Sequence, residues 1–288
     1  MSGYFAQHYK PGMSWFDLMQ MRLAWNENTQ DKRLSDWENK FGMKAIWQHL
    51  AAPTAPVFLQ MNSLNFDEAE LRNTCEALMD AGKSFVIKPS HLCGSEAVYM
   101  CDGRQWSTPQ AFSPVGLLED NTAEMLELDD VLKEVTNSLH ARVAAREAWS
   151  LKQSKPGILI EEHLTFETDI RVMTLFGEVQ GMVVTGGDVV VDRFGRVLGD
   201  TKASYTWLAS VVPTLVQWSK RVAKHTDLLR LDFFVCKTGD VFLNEMCAFV
   251  WPEATTFKPF LKSFTEVFVN VYSKQTVMTL ERQFARVH

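Results

Sequence analysis

From Ser14 to Thr29 the apolar residues Trp15, Phe16, Met19, Leu23 and Ala24 recur at helical spacing and predict an amphipathic helix. A second helix is expected from Ser35, where Ser35 and Glu38 have the spacing of a capping box, and it runs through Phe41, Ala45 and Leu50. Pro53 and Pro56 stop it, and Val57 to Gln60 reads as a short strand. Asp67 to Ala81 is helical and is closed by Gly82. Ser84 to Lys88 predicts a strand ending at Pro89, with Val98 to Cys101 as its hairpin partner, so His91 to Glu96 falls in the loop between them. Leu118 to Lys152 reads as one or two helices. Pro156-Gly157 then breaks the chain before the buried strand Ile158-Leu159-Ile160.

Two hairpins follow. Ile170 to Phe176 and Val179 to Val184 flank Gly177-Glu178, where glycine in the first loop position suits a type II′ turn. Leu229 to Cys236 and Val241 to Met246 flank Thr238-Gly239. Between the hairpins Tyr205 to His225 is helical despite Pro213, and the chain from Phe260 reads as helix. Antiparallel hairpins mixed with long helices, without a βαβ rhythm, give an α+β fold class.

Composition narrows the field. The 288 residues suffice for one large domain or two modest ones, and 46% apolar with 22% charged residues is globular usage. A net charge of −6 argues against non-specific nucleic-acid binding and requires any site for an anionic ligand to gather basic residues locally. No apolar run is long enough for a bilayer and no basic-then-apolar leader opens the chain, so no membrane association and a cytoplasmic setting are expected. The five cysteines are scattered without a CxxC pair, which points to neither a disulfide framework nor a zinc site.

Candidate chemistry concentrates in two places. If Thr238-Gly239 is a two-residue loop, Asp232 falls opposite Glu245, and Arg230, Asp232, Glu245 and Cys247 share one strand face. Facing carboxylates repel unless a cation lies between them, and such oxygen donors suit Mg²⁺. Arg230 beside them suits a phosphoryl charge. A solvent-facing strand with ordinary surface charges is the alternative, and a three-residue loop would oppose Asp232 to Asn244 instead. The second place is Lys88, at a strand end and followed by Ser90, Gly94 and Ser95, where a small-residue loop can donate backbone N–H groups to phosphates. A solvated lysine is the alternative there.

Taken in order, five segments resemble the ATP-grasp superfamily, of the D-alanine–D-alanine ligase type. They are Lys40 to Ala55-Pro56, Phe85 to Met100, Ile158 to Leu164, Asp169-Ile-Arg171-Val, and Arg230-Leu-Asp232 through Asn244-Glu245. The resemblance implies an ATP-grasp fold with two α+β subdomains enclosing a nucleotide cleft. Residues 1–60 would be a helical cap region, 61–157 the smaller subdomain and 158–288 the larger. It implies ATP and Mg²⁺ as cofactors. Lys40 and Lys88 would bind phosphates, with Ser90, Gly94 and Ser95 in the loop covering them. Glu161 and Leu164 would border adenine, with Glu162 as the alternative to Glu161, and Asp169 would hold ribose. Arg230 would stabilise the transferred phosphoryl group, Asp232 and Glu245 would hold Mg²⁺, and Arg171 and Lys202 would contact phosphate or substrate. The chain departs from the family at Cys247, where an Asn is common. It also departs in the short region before Lys40.

The activity implied is a ligase joining a small-molecule or peptide carboxylate to an amine through an acyl phosphate. A homodimer is compatible with it. A phosphotransferase on the same fold and a non-catalytic nucleotide-binding module are the competing readings. His91, Cys93 and His163 read as loop or structural residues, and Trp15, Trp25, Trp37 and Trp47 as packing.

Overall fold

The computed structural model describes residues 2–30, 34–92, 96–108, 126–142, 149–184, 189–192, 194, 196–198, 207–249 and 260–284. The chain opens with helices α1 (Ser2–His8), α2 (Trp15–Thr29), α3 (Ser35–Glu38) and α4 (Lys40–His49). Ser14 and Asp17 form a reciprocal capping box at the start of α2. The single helix expected from Ser35 is two, because Asn39 leaves the helical conformation and its side chain caps α4 by accepting from Phe41 N at 2.9 Å.

Next come β1 (Val57–Asn62), α5 (Glu68–Asp80), β2 (Phe85–Pro89), β3 (Tyr99–Cys101), β4 (Trp106–Ser107), α6 (Leu128–Ser138), α7 (Trp149–Lys152) and β5 (Gly157–Glu162). The five strands form an antiparallel sheet in the order β1-β5-β2-β3-β4. β5 therefore belongs to this sheet. Phe85, Ile87, Ile158 and Ile160 pack on one face beneath Leu71 and Cys75 of α5 and Val131, Leu132 and Val135 of α6. Strand alternation then sends Val86, Lys88, Leu159 and Glu161 to the other face.

The larger sheet comprises β6 (Thr168–Leu175), β7 (Glu178–Val184), β8 (Val189–Asp192) and β9 (Val197–Leu198), then, after α8 (Leu208–Ala223), β10 (Leu228–Val235) and β11 (Val241–Cys247). α9 (Leu261–Phe284) follows. The strand order is β11-β10-β6-β7-β8-β9, every pair antiparallel. One face carries Ile170, Val172, Leu231, Phe233 and Leu243 against Val211 and Leu215 of α8 and Met43 and Trp47 of α4. The opposite face is split. Met173, Leu175 and Leu228 pack under Phe5, Trp15 and Leu18 of the first two helices and Phe264 and Phe268 of α9. Further along the same strands that face turns charged, with Asp169 and Arg171 of β6, Arg230 and Asp232 of β10, and Glu245 of β11. The fold class is α+β, as the hairpin pattern indicates.

Both hairpin turns differ from expectation. The β6–β7 loop is Phe176-Gly177, one residue earlier than Gly177-Glu178, since Leu175 pairs with Glu178. Both loop residues have positive φ, 51° and 77°, which is the type I′ turn rather than II′. The β10–β11 loop is three residues, Lys237 to Gly239, closed by Cys236 N donating to Asp240 O at 2.9 Å. That register alone would set Asp232 against Asn244. A β-bulge intervenes between Asp232 and Phe233, so Asp232 lies opposite Glu245 after all.

Candidate functional site

The first cluster is built on the open face of the five-stranded sheet. Lys88 on β2 and Glu161 on β5 share that face, and Lys44 reaches it from α4. Lys44 Nζ lies 2.5 Å from Glu161 Oε2, while Lys88 Nζ pairs with Glu161 Oε1. All three are nearly buried, at 7%, 8% and 5% exposure. Lys44 Nζ also donates to Thr54 Oγ1 at 2.6 Å and Ala55 O at 3.2 Å, which fixes its position from the chain entering β1.

Burial alone would raise the Glu161 carboxyl. The adjoining ammonium groups of Lys88 and Lys44 outweigh it and hold the group below the ordinary carboxylate value. Burial, reinforced by repulsion from Lys88, pushes Lys44 below the ordinary lysine value in spite of Glu161. Two cations sharing one carboxylate leave an excess positive charge, the local gathering of basic residues that an anionic ligand requires in a chain of net charge −6.

Lys40 takes a different direction. Its Nζ donates to Leu92 O at 2.5 Å, and its backbone N donates to Ser90 O at 2.9 Å. Ser90 is fully buried and donates its own N–H to Gly157 O at 2.7 Å, locking the end of β2 against the start of β5. The lysine brought together with Lys88 is thus Lys44, which the sequence reading passed over. Its signal was the four-residue spacing from Lys40, which puts both on one helix face. Gly94, Ser95 and Lys202 lie outside the described residues. Glu162 and Leu164 are half-buried, and Glu162 N donates to Pro56 O at 2.8 Å. Adjacent positions on β5 point to opposite faces, so Glu161 rather than Glu162 faces the lysines.

The second cluster is the charged end of the six-stranded sheet. Arg230 forks onto Asp232, Nε to Oδ1 and Nη2 to Oδ2, both at 2.8 Å, and its Nη2 lies 3.9 Å from Glu245 Oε2. Asp232 is 4% exposed, and burial lifts its carboxyl above the ordinary value against the pull of Arg230. Arg171 Nε lies 3.6 Å from Asp169 Oδ2 and 3.8 Å from Asp232 Oδ2. Phe166 and Phe234 stack beside Asp169 with ring centroids 4.0 Å apart. Cys247 is a neutral thiol. Burial pushes it up to about 12, and it donates to Phe249 O at 2.7 Å.

The donor chemistry of this row fits Mg²⁺. Asp232 and Glu245 are hard oxygen donors held opposite each other on neighbouring strands, and Mg²⁺ usually takes one or two protein carboxylates together with phosphate oxygens. Cys247 adds no suitable donor.

α4 joins the clusters. Its Met43 and Trp47 lie in the core of the six-stranded sheet, while Lys44 turns to Glu161 of the other sheet. Leu243 N donates to Pro53 O at 2.8 Å, tying β11 to the segment that positions Lys44.

No protein-family model matches the chain, and no curated protein matches it in sequence. Solved structures do match. The structure of D-alanyl-alanine synthetase A from Vibrio cholerae aligns at TM-score 0.53 and 14% identity, over 91% of this chain and 72% of that one. The D-alanine-D-alanine ligase from Coxiella burnetii gives TM-score 0.49 and 10% identity, over 88% of this chain and 62% of that one. The D-alanine–D-alanine ligase from Bacillus anthracis gives 0.47 and 12%, over 82% and 69%. At these identities the likeness is one of fold.

Proposed function

From its ATP-grasp fold, we propose that the chain binds Mg-ATP between its two sheets and uses it to join a carboxylate to an amine. What carries the reading is the convergence of Lys44 and Lys88 on Glu161 in one sheet, with the Arg230–Asp232–Glu245 row in the other.

In this reading Lys44 and Lys88 hold phosphate oxygens, exchanging part of their bond with Glu161 for them. Lys40 and Ser90 lie at the phosphate end. Glu161 and Leu164 border the base, Asp169 receives the ribose, and Arg230 meets the transferred phosphoryl group. Asp232 and Glu245 would hold Mg²⁺, which when bound neutralises phosphate charge and polarises the γ-phosphoryl group.

The substrate carboxylate oxygen attacks the γ-phosphorus as the bond to ADP breaks. The amine nitrogen then attacks the acyl carbon and phosphate departs, so an amide, ADP and phosphate are the products. The protein contributes position and charge neutralisation rather than a covalent group. An amino acid or peptide is the proposed carboxylate class.

Thermal unfolding tests the nucleotide step. Mg-ATP at 100 times its Kd stabilises the folded state by about 2.7 kcal/mol, a rise of roughly 5–10 °C in Tm. Lys44→Ala and Lys88→Ala should each remove most of that rise, and Lys40→Ala should remove less. No rise in wild type at millimolar Mg-ATP would overturn the reading. Product analysis tests the chemistry. Phosphate released with a new amide supports a ligase, whereas a phosphorylated acceptor would replace it with a phosphotransferase.

A further inference from the structure

The charged row on the six-stranded sheet holds a second guanidinium, and its placement bears on how many cations the site takes. This deepens the Mg-ATP reading above and rests on it. Arg171 is the Cα partner of Asp232, and Asp232 is the partner of Glu245, so the row runs Arg171–Asp232–Glu245 across three strands. Arg171 Nε is 3.6 Å from Asp169 and 3.8 Å from Asp232, beyond hydrogen-bond reach of both. This nitrogen is itself buried and has no hydrogen-bond partner among the described residues. A buried N–H without an acceptor is costly, and an oxygen from a ligand would satisfy it.

The carboxylate oxygens of Asp232 already accept from Arg230 at 2.8 Å each. Among the described residues three carboxylates, Asp169, Asp232 and Glu245, stand against two guanidiniums, Arg171 and Arg230, so the fixed charge of this row is −1. One divalent cation reverses that sign before any nucleotide charge is counted. A second would enter beside two guanidiniums that both lie within 4 Å of Asp232. Among the described residues it would also lack donors. Position 247 is a thiol that donates to Phe249 O, and no group of three His, Cys, Asp or Glu side chains among the described residues is placed to hold a metal.

We propose that this site loads a single divalent cation with its nucleotide, and that Arg171 takes a phosphate oxygen in the place a second cation would occupy. A guanidinium suits this because it offers planar paired N–H groups to a phosphate and carries a permanent charge.

The test is a Mn²⁺ titration of the full chain with a saturating non-hydrolysable ATP analogue, counting bound Mn²⁺ by the loss of the free-ion EPR signal. One Mn²⁺ per bound nucleotide is expected in wild type. Arg171→Ala should weaken the analogue tenfold or more, or take up a second Mn²⁺, and Arg171→Lys should keep the count at one. Two Mn²⁺ per nucleotide in wild type would overturn the proposal. So would a well-folded Arg171→Ala with unchanged affinity and count. If the analogue does not bind wild type at all, the Mg-ATP reading falls and takes this proposal with it. Should Arg171→Ala fail to fold, the wild-type count alone decides.

Discussion

At the residue scale, Glu161 is held from two sides, because one nearly buried carboxylate serves Lys44 and Lys88 together. Removing one partner from a buried charge group leaves the others uncompensated, which typically costs about 3–5 kcal/mol. Glu161→Gln should therefore lower the Tm of the ligand-free protein markedly. Mg-ATP should then raise Tm more in the variant than in wild type, since phosphate oxygens supply the missing negative charge. An unchanged Tm in Glu161→Gln would show that the lysines do not depend on this carboxylate. The acid response follows from the same group. Its folded value lies below the ordinary carboxylate value of 4.5, so its stabilising contribution is complete above that pH and is lost as pH falls through the folded value. Tm followed from pH 7 to pH 3 should fall less steeply in Glu161→Gln than in wild type.

At the element scale, α4 matters because it delivers a charge to one sheet while packed into the core of the other. Its seat includes Gly157 at the start of β5. A Cβ there would stand 2.5 Å from the Phe41 ring and 2.7 Å from the Met61 carbonyl oxygen. Gly157→Ala should cost about 1–3 kcal/mol through overpacking. It should also weaken nucleotide binding by displacing the turn that carries Lys40 and Lys44. Urea denaturation and the ATP-induced Tm shift measure the two effects, and a neutral result in both would mean that α4 is free to adjust.

How much of this was legible in the sequence depends on the range of the interactions. The Asp232–Glu245 pairing was expected from a two-residue loop, but the loop has three residues and a bulge restores the register. Turn length and bulge are set by local backbone geometry that period-two patterning cannot resolve. The split at Asn39 was hidden because Asn39 sits in a continuous helical pattern, although asparagine is a favoured N-cap and its side chain accepts from Phe41 N only two residues on. Lys44 was missed for a related reason. Strand patterning exposed Lys88 at the end of β2, but only the tertiary approach of α4 to β5 shows which of two lysines on one helix face meets Glu161.

At the scale of the whole molecule, the hairpin that bears Arg230, Asp232 and Glu245 is held where the chain enters and leaves it by α2 and α9. Arg22 of α2 is fully buried. It binds Asp227, which precedes β10, at 2.6 Å through Nη2 and 3.2 Å through Nε, and its Nη1 donates to Ala248 O just after β11. Tyr272 of α9 donates to the same Asp227 at 2.6 Å, and the Arg22 guanidinium lies over the Phe249 ring. Sequence separations above 200 residues put this clamp beyond any pattern argument. Burial would raise Asp227, but Arg22 and the Tyr272 hydroxyl hold it below the ordinary carboxylate value, so its contribution too is present at neutral pH and lost on acidification. Arg22→Ala leaves Asp227 buried without its cation and should cost about 3–5 kcal/mol. Asp227→Asn should cost a similar amount, and the double variant clearly less than the sum, because the second substitution removes the charge that the first one stranded. Strict additivity in urea denaturation would show that the two residues act separately. If the coupling is present, the terminal helices do more than cover the sheet. They fix the open end of the hairpin that carries the charged row, so each single variant should also raise the Mg²⁺ concentration needed for half-maximal stabilisation by ATP, although neither residue belongs to that row.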